Sequence, residues 1–385
     1  MTARLSRILA AVGLLFGLAA MSPSPSPTAD EATAPVPILA YYYIWFDERS
    51  WDRAKTDYPQ LGRYASDDVD VMRQHIRWAQ AAGIDGFIVS WKSTLTLDRR
   101  LERLIEVARE ESFKLAIIYQ GLDFHRDPLP VERIAADIDH FLEAYAGDPV
   151  FELFDGPPLL IWSGTWKFTT EEVDRVTRTR GMRSGCDWER EREPTCVQLL
   201  GTERNVKGLQ RLDGLVDGNA YYWSSVNPDT FPGYPEKLNA MSDEVNQQGG
   251  LWIAPAAPGF DARLIGGTTV VERRDGDTLR RQLDAAHGSA PDAIGLISWN
   301  EFSENSHVEP SEVHGTTALD VLADVAGGQV PTLSDDPDSS QADILFPSGT
   351  IDALERVIAL VLVAAAVLLG SWVIARRRRV GSASP

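Results

Sequence analysis

The chain has 385 residues, with 37 Lys and Arg against 56 Asp and Glu, a formal net charge of −19 and a pI near 4.7. With 44% hydrophobic and 24% charged residues it is neither disordered throughout nor a collagen-like repeat, and two cysteines exclude a disulfide-dense miniprotein. So acidic a chain argues against nucleic acid as the main partner, because phosphate contacts need clustered Lys and Arg; it suits a domain acting on neutral molecules.

In chain order, Arg4 and Arg7 precede an apolar run from Ile8 to Met21 and then a Pro/Ser tract, so residues 1–36 read as a secretory signal peptide and flexible lead-in. Residues 37–329 alternate short apolar runs with amphipathic stretches. The runs predict eight strands, at Ile38–Trp45, Gly86–Trp91, Leu115–Gln120, Leu159–Ser163, Val197–Gly201, Gly214–Trp223, Leu251–Pro255 and Ile294–Trp299. Helices are expected over Asp67–Ala82, capped by Ser66 or Asp67, and over Asp98–Glu110, Val131–Tyr145 and Pro235–Gln247. Eight buried strands alternating with helices suit an α/β fold of the (β/α)8 TIM-barrel type. No GxGxxG follows the first strand to favour a doubly wound sheet. Cys186 and Cys196 bracket a polar insert without His, which predicts a disulfide worth about 3 kcal/mol in the chain-entropy picture.

Beyond the barrel, residues 330–356 are acidic and Pro/Ser-containing, as a stalk would be. Val357 to Ala375 carry no charge over 19 residues, about 28 Å of helix, and Arg376–Arg379 follow at once. This predicts a single transmembrane helix at 357–375 and a basic cytoplasmic tail at 376–385. The main domain is then extracytoplasmic and held at the cell membrane.

Active sites of such barrels lie at the C-terminal strand ends, and here those ends are aromatic and polar: Tyr41–Trp45, Ser90–Lys92, Tyr221–Trp223, and Trp299 onward. Glu301 and Glu304 stand three apart just past the last strand, where one turn can aim both carboxylates into one cleft. Two carboxyls in different environments divide acid and base roles, as glycosidic cleavage requires; the plainer alternative is a solvated acidic loop. A lone His307-x-Glu309 is too little for a metal site, and no GxSxG elbow occurs.

The segment ISWNEFSENSHVEP (297–310) resembles the I-[ST]-[FWY]-N-E-W-x-E-G-T-x-I-E-P block of glycoside hydrolase family 99, the endo-α-mannosidases and their relatives. AYYYIW (40–45), LGRYASDDVDVMRQHIRWAQAAGIDGFIVSWK (61–92), APGFDAR (257–263) and RRDG (273–276) extend the resemblance. It implies a (β/α)8 barrel that hydrolyses α-linked, mannose-containing glycans with retention and without a cofactor. It also implies Glu301 as the base that deprotonates the sugar's 2-hydroxyl, Glu304 as acid/base, Arg273 as a substrate-binding arginine, and Tyr42, Trp45, Trp91, Tyr222 and Asn300 as lining of the sugar subsites. Phe302 departs from the family's Trp, and Asn305-Ser306-His307 from its Gly-Thr-Gln. Two other readings stay open: a carbohydrate-binding surface protein whose barrel has lost activity, and a polysaccharide-biosynthesis protein of the WbsX-like type, which carries a similar ending. The oligomeric state is not legible in the sequence.

Overall fold

The computed structural model describes residues 35–330 apart from 54, 155 and 187–194. Ten strands occur among these residues: β1 (Ile38–Tyr43), β2 (Gly86–Trp91), β3 (Lys114–Gln120), β4 (Leu159–Ser163), β5 (Gln198–Leu200), β6 (Gly218–Ala220), β7 (Leu251–Ala256), the two-residue β8 (Phe260–Asp261) and β9 (Val270–Val271), and β10 (Ala293–Leu296). Eight of them form one parallel sheet in the order β5-β4-β3-β2-β1-β10-β7-β6. A parallel bridge between Gly201 and Asn219 joins its two outer strands and rolls it into a barrel. All eight predicted strands are present. β6 is far shorter than Gly214–Trp223, because Asp217 is drawn off to accept the backbone N–H groups of Leu199 and Met182. Gly218 opens β6 at φ 150°, and a Cβ there would lie 2.2 Å from the Leu251 carbonyl oxygen, so only glycine lets β6 and β7 meet. β10 stops at Leu296, before the predicted Trp299: the Ser298 N–H turns to the Ser306 carbonyl, although Ile297 and Trp299 still donate to Ala256 of β7 and Tyr41 of β1. β8 and β9 form a separate antiparallel ribbon.

Strand side chains alternate between two apolar environments. Leu39, Tyr41, Ile88, Ile118, Ile161 and Ile253 fill the barrel interior. Their neighbours Ala40, Tyr42, Phe87, Val89 and Trp91 pack outward against the helices. Helix α1 (Val69–Ala81) is capped by Asp68, whose carboxylate accepts from the N–H groups of Asp70 and Val71; the cap lies past both Ser66 and Asp67. Helix α2 (Leu95–Glu110) begins three residues ahead of Asp98 because the Thr94 hydroxyl caps it, and it buries the expected Leu101, Leu104, Ile105 and Ala108. α3 (Val131–Ala144) falls where predicted. The sequence reading passed over α4 (Thr170–Thr177), although Thr169 and Glu172 form a reciprocal capping box. It also passed over the short α5 (Val206–Arg211). α6 (Tyr234–Gln247) was expected, whereas α7 (Asp277–Gly288) and α8 (Thr317–Ala326) were not. Cys186 and Cys196 are paired as a disulfide. Among the described residues no helix is long and apolar enough to cross a membrane. The predicted signal segment, the stalk beyond residue 330 and the span at 357–375 lie outside the described residues.

Candidate active site

After β10 the chain folds into a closed loop over the C-terminal end of the barrel. The Trp299 N–H donates to the Tyr41 carbonyl, which ties the loop to β1. The Ser298 and Val308 N–H groups donate to the carbonyls of Ser306 and Ser298, which clamps the loop's two ends together. Within it the Ser298 hydroxyl accepts from the Glu301 N–H at 2.8 Å, and the Glu304 carbonyl accepts from the Asp261 N–H of the β8–β9 ribbon at 2.7 Å. Asn305 turns the chain at φ 48°, a left-handed conformation that Asn tolerates and that explains how it stands where the family pattern has Gly.

Both carboxyls are held in low-dielectric surroundings. Burial, then repulsion from Glu304, push the Glu301 carboxyl up to about 7, against the opposing pull of the Ser303 N–H at 2.9 Å and of the Lys55 ammonium. Burial also raises Glu304, and Arg126 opposes it. Both carboxyls therefore hold their protons to higher pH than an exposed glutamate does, Glu301 to about 7. Lys55 is fixed by donating to the Ser303 hydroxyl at 2.6 Å.

Two phenols complete the centre. The hydroxyls of Tyr43 and Tyr222 are hydrogen-bonded to each other, and both lie within electrostatic reach of Glu301 and Glu304. Burial above all raises both phenols, with the glutamates adding to it and the bond with Tyr43 opposing it at Tyr222, so both stay protonated. Tyr43 stacks on the exposed Trp45 at 4.3 Å between ring centroids, which offers a flat apolar face at the rim.

The structure thus gathers Glu301, Glu304, Tyr222 and Trp45, and it adds Tyr43 and Lys55, which sequence reasoning missed. Tyr42 and Trp91 are not brought to this cleft. Each follows the outward parity of its strand and is sealed against helices: Tyr42 bonds His75 at 3.0 Å, and Trp91 donates to Asp98 at 3.0 Å. Parity along AYYYIW separates Tyr41 and Tyr43 from Tyr42, since the first two share one side of the strand, but does not tell which side faces the barrel interior. Asn300 is buried, and its amide is spent inside the protein: Oδ1 accepts from the Tyr43 N–H at 2.8 Å, while Nδ2 donates to the Tyr43 carbonyl at 3.0 Å and the Tyr64 hydroxyl at 3.3 Å. Tyr64 donates to Glu309 at 2.8 Å, and Glu309 pairs with His75 at 3.0 Å, so a buried polar chain runs beneath the loop from Asn300 to Tyr42. Asn300→Ala should orphan both buried backbone groups of Tyr43. We expect a stability loss of about 1–3 kcal/mol in urea unfolding, together with lower activity as the phenol shifts. Unchanged unfolding would mean that the amide does not pin Tyr43.

Arg273 also acts from behind the loop. Its Nη2 donates to the Asn305 carbonyl at 3.0 Å and to His307 Nδ1 at 3.3 Å. Burial lowers the guanidinium to about 10, with Asp57 opposing, so it stays charged. Burial, with repulsion from Arg273, lowers His307 to about 3; the neutral ring accepts from Arg273 at Nδ1 and donates from Nε2 to Asp57 at 3.1 Å. Burial pushes the Asp57 carboxyl up, but hydrogen bonds from His307, Ser311 and the Val313 N–H outweigh it and hold the group at about 2. The two departures from the family pattern meet here. Phe302 stacks flat on His307, with ring centroids 3.9 Å apart and planes 13° from parallel.

A family model described as Glycosyl hydrolase family 99 matches residues 40–325. A glycoprotein endo-alpha-1,2-mannosidase-like protein from Danio rerio is 23% identical over 287 residues, 69% of this chain and 62% of that protein. Its Homo sapiens counterpart is 21% identical over 273 residues, 67% of this chain and 58% of that protein. The chain thus spans about three-fifths of the length of these curated relatives. Among solved structures, a family-99 endo-alpha-mannosidase from Bacteroides thetaiotaomicron has the same fold. It superposes with a TM-score of 0.66 at 20% identity, over 77% of this chain and 98% of that one.

Proposed function

Because the chain belongs to glycosyl hydrolase family 99, we propose that it is a membrane-anchored, extracytoplasmic glycoside hydrolase that cleaves α-linked, mannose-containing glycans with retention of configuration. One observation carries the reading: two largely buried carboxyls stand on a single loop at the barrel mouth, with the hydrogen-bonded phenols of Tyr43 and Tyr222 within electrostatic reach of both.

In the proposed reaction Glu301, ionised, takes the proton of the sugar's 2-hydroxyl as that oxygen attacks C1. The bond from C1 to the leaving oxygen breaks, and Glu304 supplies the proton the leaving oxygen needs. A 1,2-anhydro sugar results. Glu304, now ionised, takes a proton from water as the water oxygen attacks C1. The C1–O2 bond opens, and O2 recovers its proton from Glu301. Two inversions at C1 give retention. The working form has Glu301 ionised and Glu304 protonated, and the Tyr43–Tyr222 pair lies within electrostatic reach of both carboxyls. Trp45 offers a stacking face to a sugar ring.

The test is the release of new reducing ends from a panel of α-mannans by the full-length protein in detergent. Retention of glycan without any release would favour a carbohydrate-binding barrel instead. For the topology, the signal-like start and the 357–375 run with its arginines support the outward placement. Protease added to intact cells should degrade the barrel and leave a short membrane fragment; a barrel fully protected until lysis would reverse the orientation.

A further inference from the structure

A second cavity, of about 630 Å³, opens beside β6 and is lined by Arg204, Tyr221, Trp223, Asn227, Lys237 and Val270 among others. Its chemistry is unlike the rest of this acidic chain. The Arg204 guanidinium is sandwiched between two indoles, 3.7 Å from the ring centroid of Trp166 and 4.6 Å from that of Trp223. Its Nε is buried without a hydrogen-bond partner. The adjacent carboxylate, Glu203, is buried and already taken by Arg211 at 2.8 Å. The Lys237 ammonium lies 4.4 Å from the centre of the Tyr221 ring and donates to the Tyr221 hydroxyl at 2.6 Å. Among the described residues neither cation forms an ion pair with a carboxylate. Arg126, on the turn after β3, acts electrostatically on both Arg204 and Glu304. Burial depresses both cations, with repulsion from Arg126 at Arg204 and from Arg204 at Lys237, while Tyr221 and Glu203 partly oppose it at Arg204; an anion would relieve that cost.

The cavity adjoins the catalytic loop. Tyr221 and Tyr222 are consecutive at the end of β6, the first turned to the cavity and the second to Tyr43. Val270, on the cavity wall, belongs to the ribbon that holds Glu304 through Asp261. A guanidinium held between two aromatic rings is a planar fork of donors, the kind of group that receives carboxylate or phosphate oxygens in pairs. We propose that this cavity is a subsite for an anionic substituent, a carboxylate or a phosphate or sulfate ester, on the glycan cleaved at Glu301 and Glu304. The inference rests on the glycosidase reading and refines it: the preferred glycan is acidic rather than neutral.

The test uses the full-length protein and matched α-mannooligosaccharides, neutral or carrying either a 6-carboxylate or a 6-phosphate at one end. At low salt the wild type should turn over an acidic form with kcat/KM at least about tenfold above the neutral one, and added salt should erode the preference. Whether carboxylate or phosphate gains more identifies the group. Arg204→Gln and Lys237→Met should each abolish the preference and leave neutral turnover within about twofold. Equal turnover of acidic and neutral forms by the wild type, or a loss in both variants that is the same for every substrate, would overturn the proposal. Calorimetry with glucuronate and mannose 6-phosphate requires no turnover. Salt-sensitive binding lost in Arg204→Gln, with no glycan hydrolysed, would leave the anion site standing and sink the glycosidase reading. Hydrolysis of neutral glycans with no such binding would do the reverse.

Discussion

Replacing Glu304 by Gln is expected to lower hydrolysis of an unactivated α-mannoside by about 10²–10⁴-fold, the scale of lost general acid catalysis, while glycan binding stays near wild type. A substrate with a good leaving group should suffer far less, because its departure needs little protonation. Glu301→Gln should lose as much on both substrates, since it removes the group that acts on the 2-hydroxyl and not the one that serves the leaving oxygen. A 2-deoxy or 2-fluoro sugar should fail with the wild type for the same reason. A 2-fluoro sugar found covalently attached to Glu301 would make that carboxylate an ordinary nucleophile and end the 2-hydroxyl mechanism. If both Gln variants keep full turnover, the catalytic centre lies elsewhere.

The second large effect is on stability, and its sign follows from the direction of the Glu301 shift. The folded protein holds this carboxyl's proton up to about 7, whereas the unfolded chain releases it near the ordinary 4.5. Between those values the folded state binds more protons, so stability declines as pH rises, from full below about 4.5 to a loss of about 3 kcal/mol above 7. Glu304, raised in the same sense, adds to the decline. Glu301→Gln keeps an oxygen for the Ser303 N–H and removes the buried charge. Urea unfolding at pH 8 should therefore find the variant more stable than wild type by up to about 3 kcal/mol, with the difference vanishing near pH 4.5. A variant less stable at pH 8 would show that the ionised carboxylate is stabilising where it sits. Activity should mirror this titration: the working form carries one proton on the pair, so kcat/KM should fall as pH passes above about 7. The gain in stability with loss of turnover in one substitution is what a site built on a buried charge predicts.

By itself the sequence determined the eight strands and their barrel class, because short apolar runs between amphipathic stretches leave few other packings. It placed Glu301 and Glu304 just past the last strand, and it marked Cys186 and Cys196 as partners. Only the tertiary structure decided which aromatics face the chemistry. In a parallel barrel both faces of every strand are buried, so the twofold alternation of AYYYIW and GFIVSW shows that neighbours diverge but not which of them turns inward. Tyr43 therefore reaches the glutamates and Tyr42 does not, and Trp91 joins the helix layer. The family resemblance implies sugar contacts at Asn300 and Arg273. Asn300 Nδ2 is instead taken by Tyr43 and Tyr64, and Arg273 Nη2 by Asn305 and His307, groups distant in sequence that only the closed loop brings within reach; Arg273 Nε has no hydrogen-bond partner. Lys55 and Arg126 carry no local pattern at all. Their effect on the pair is electrostatic and acts through space, and the sequence contains no signal for it.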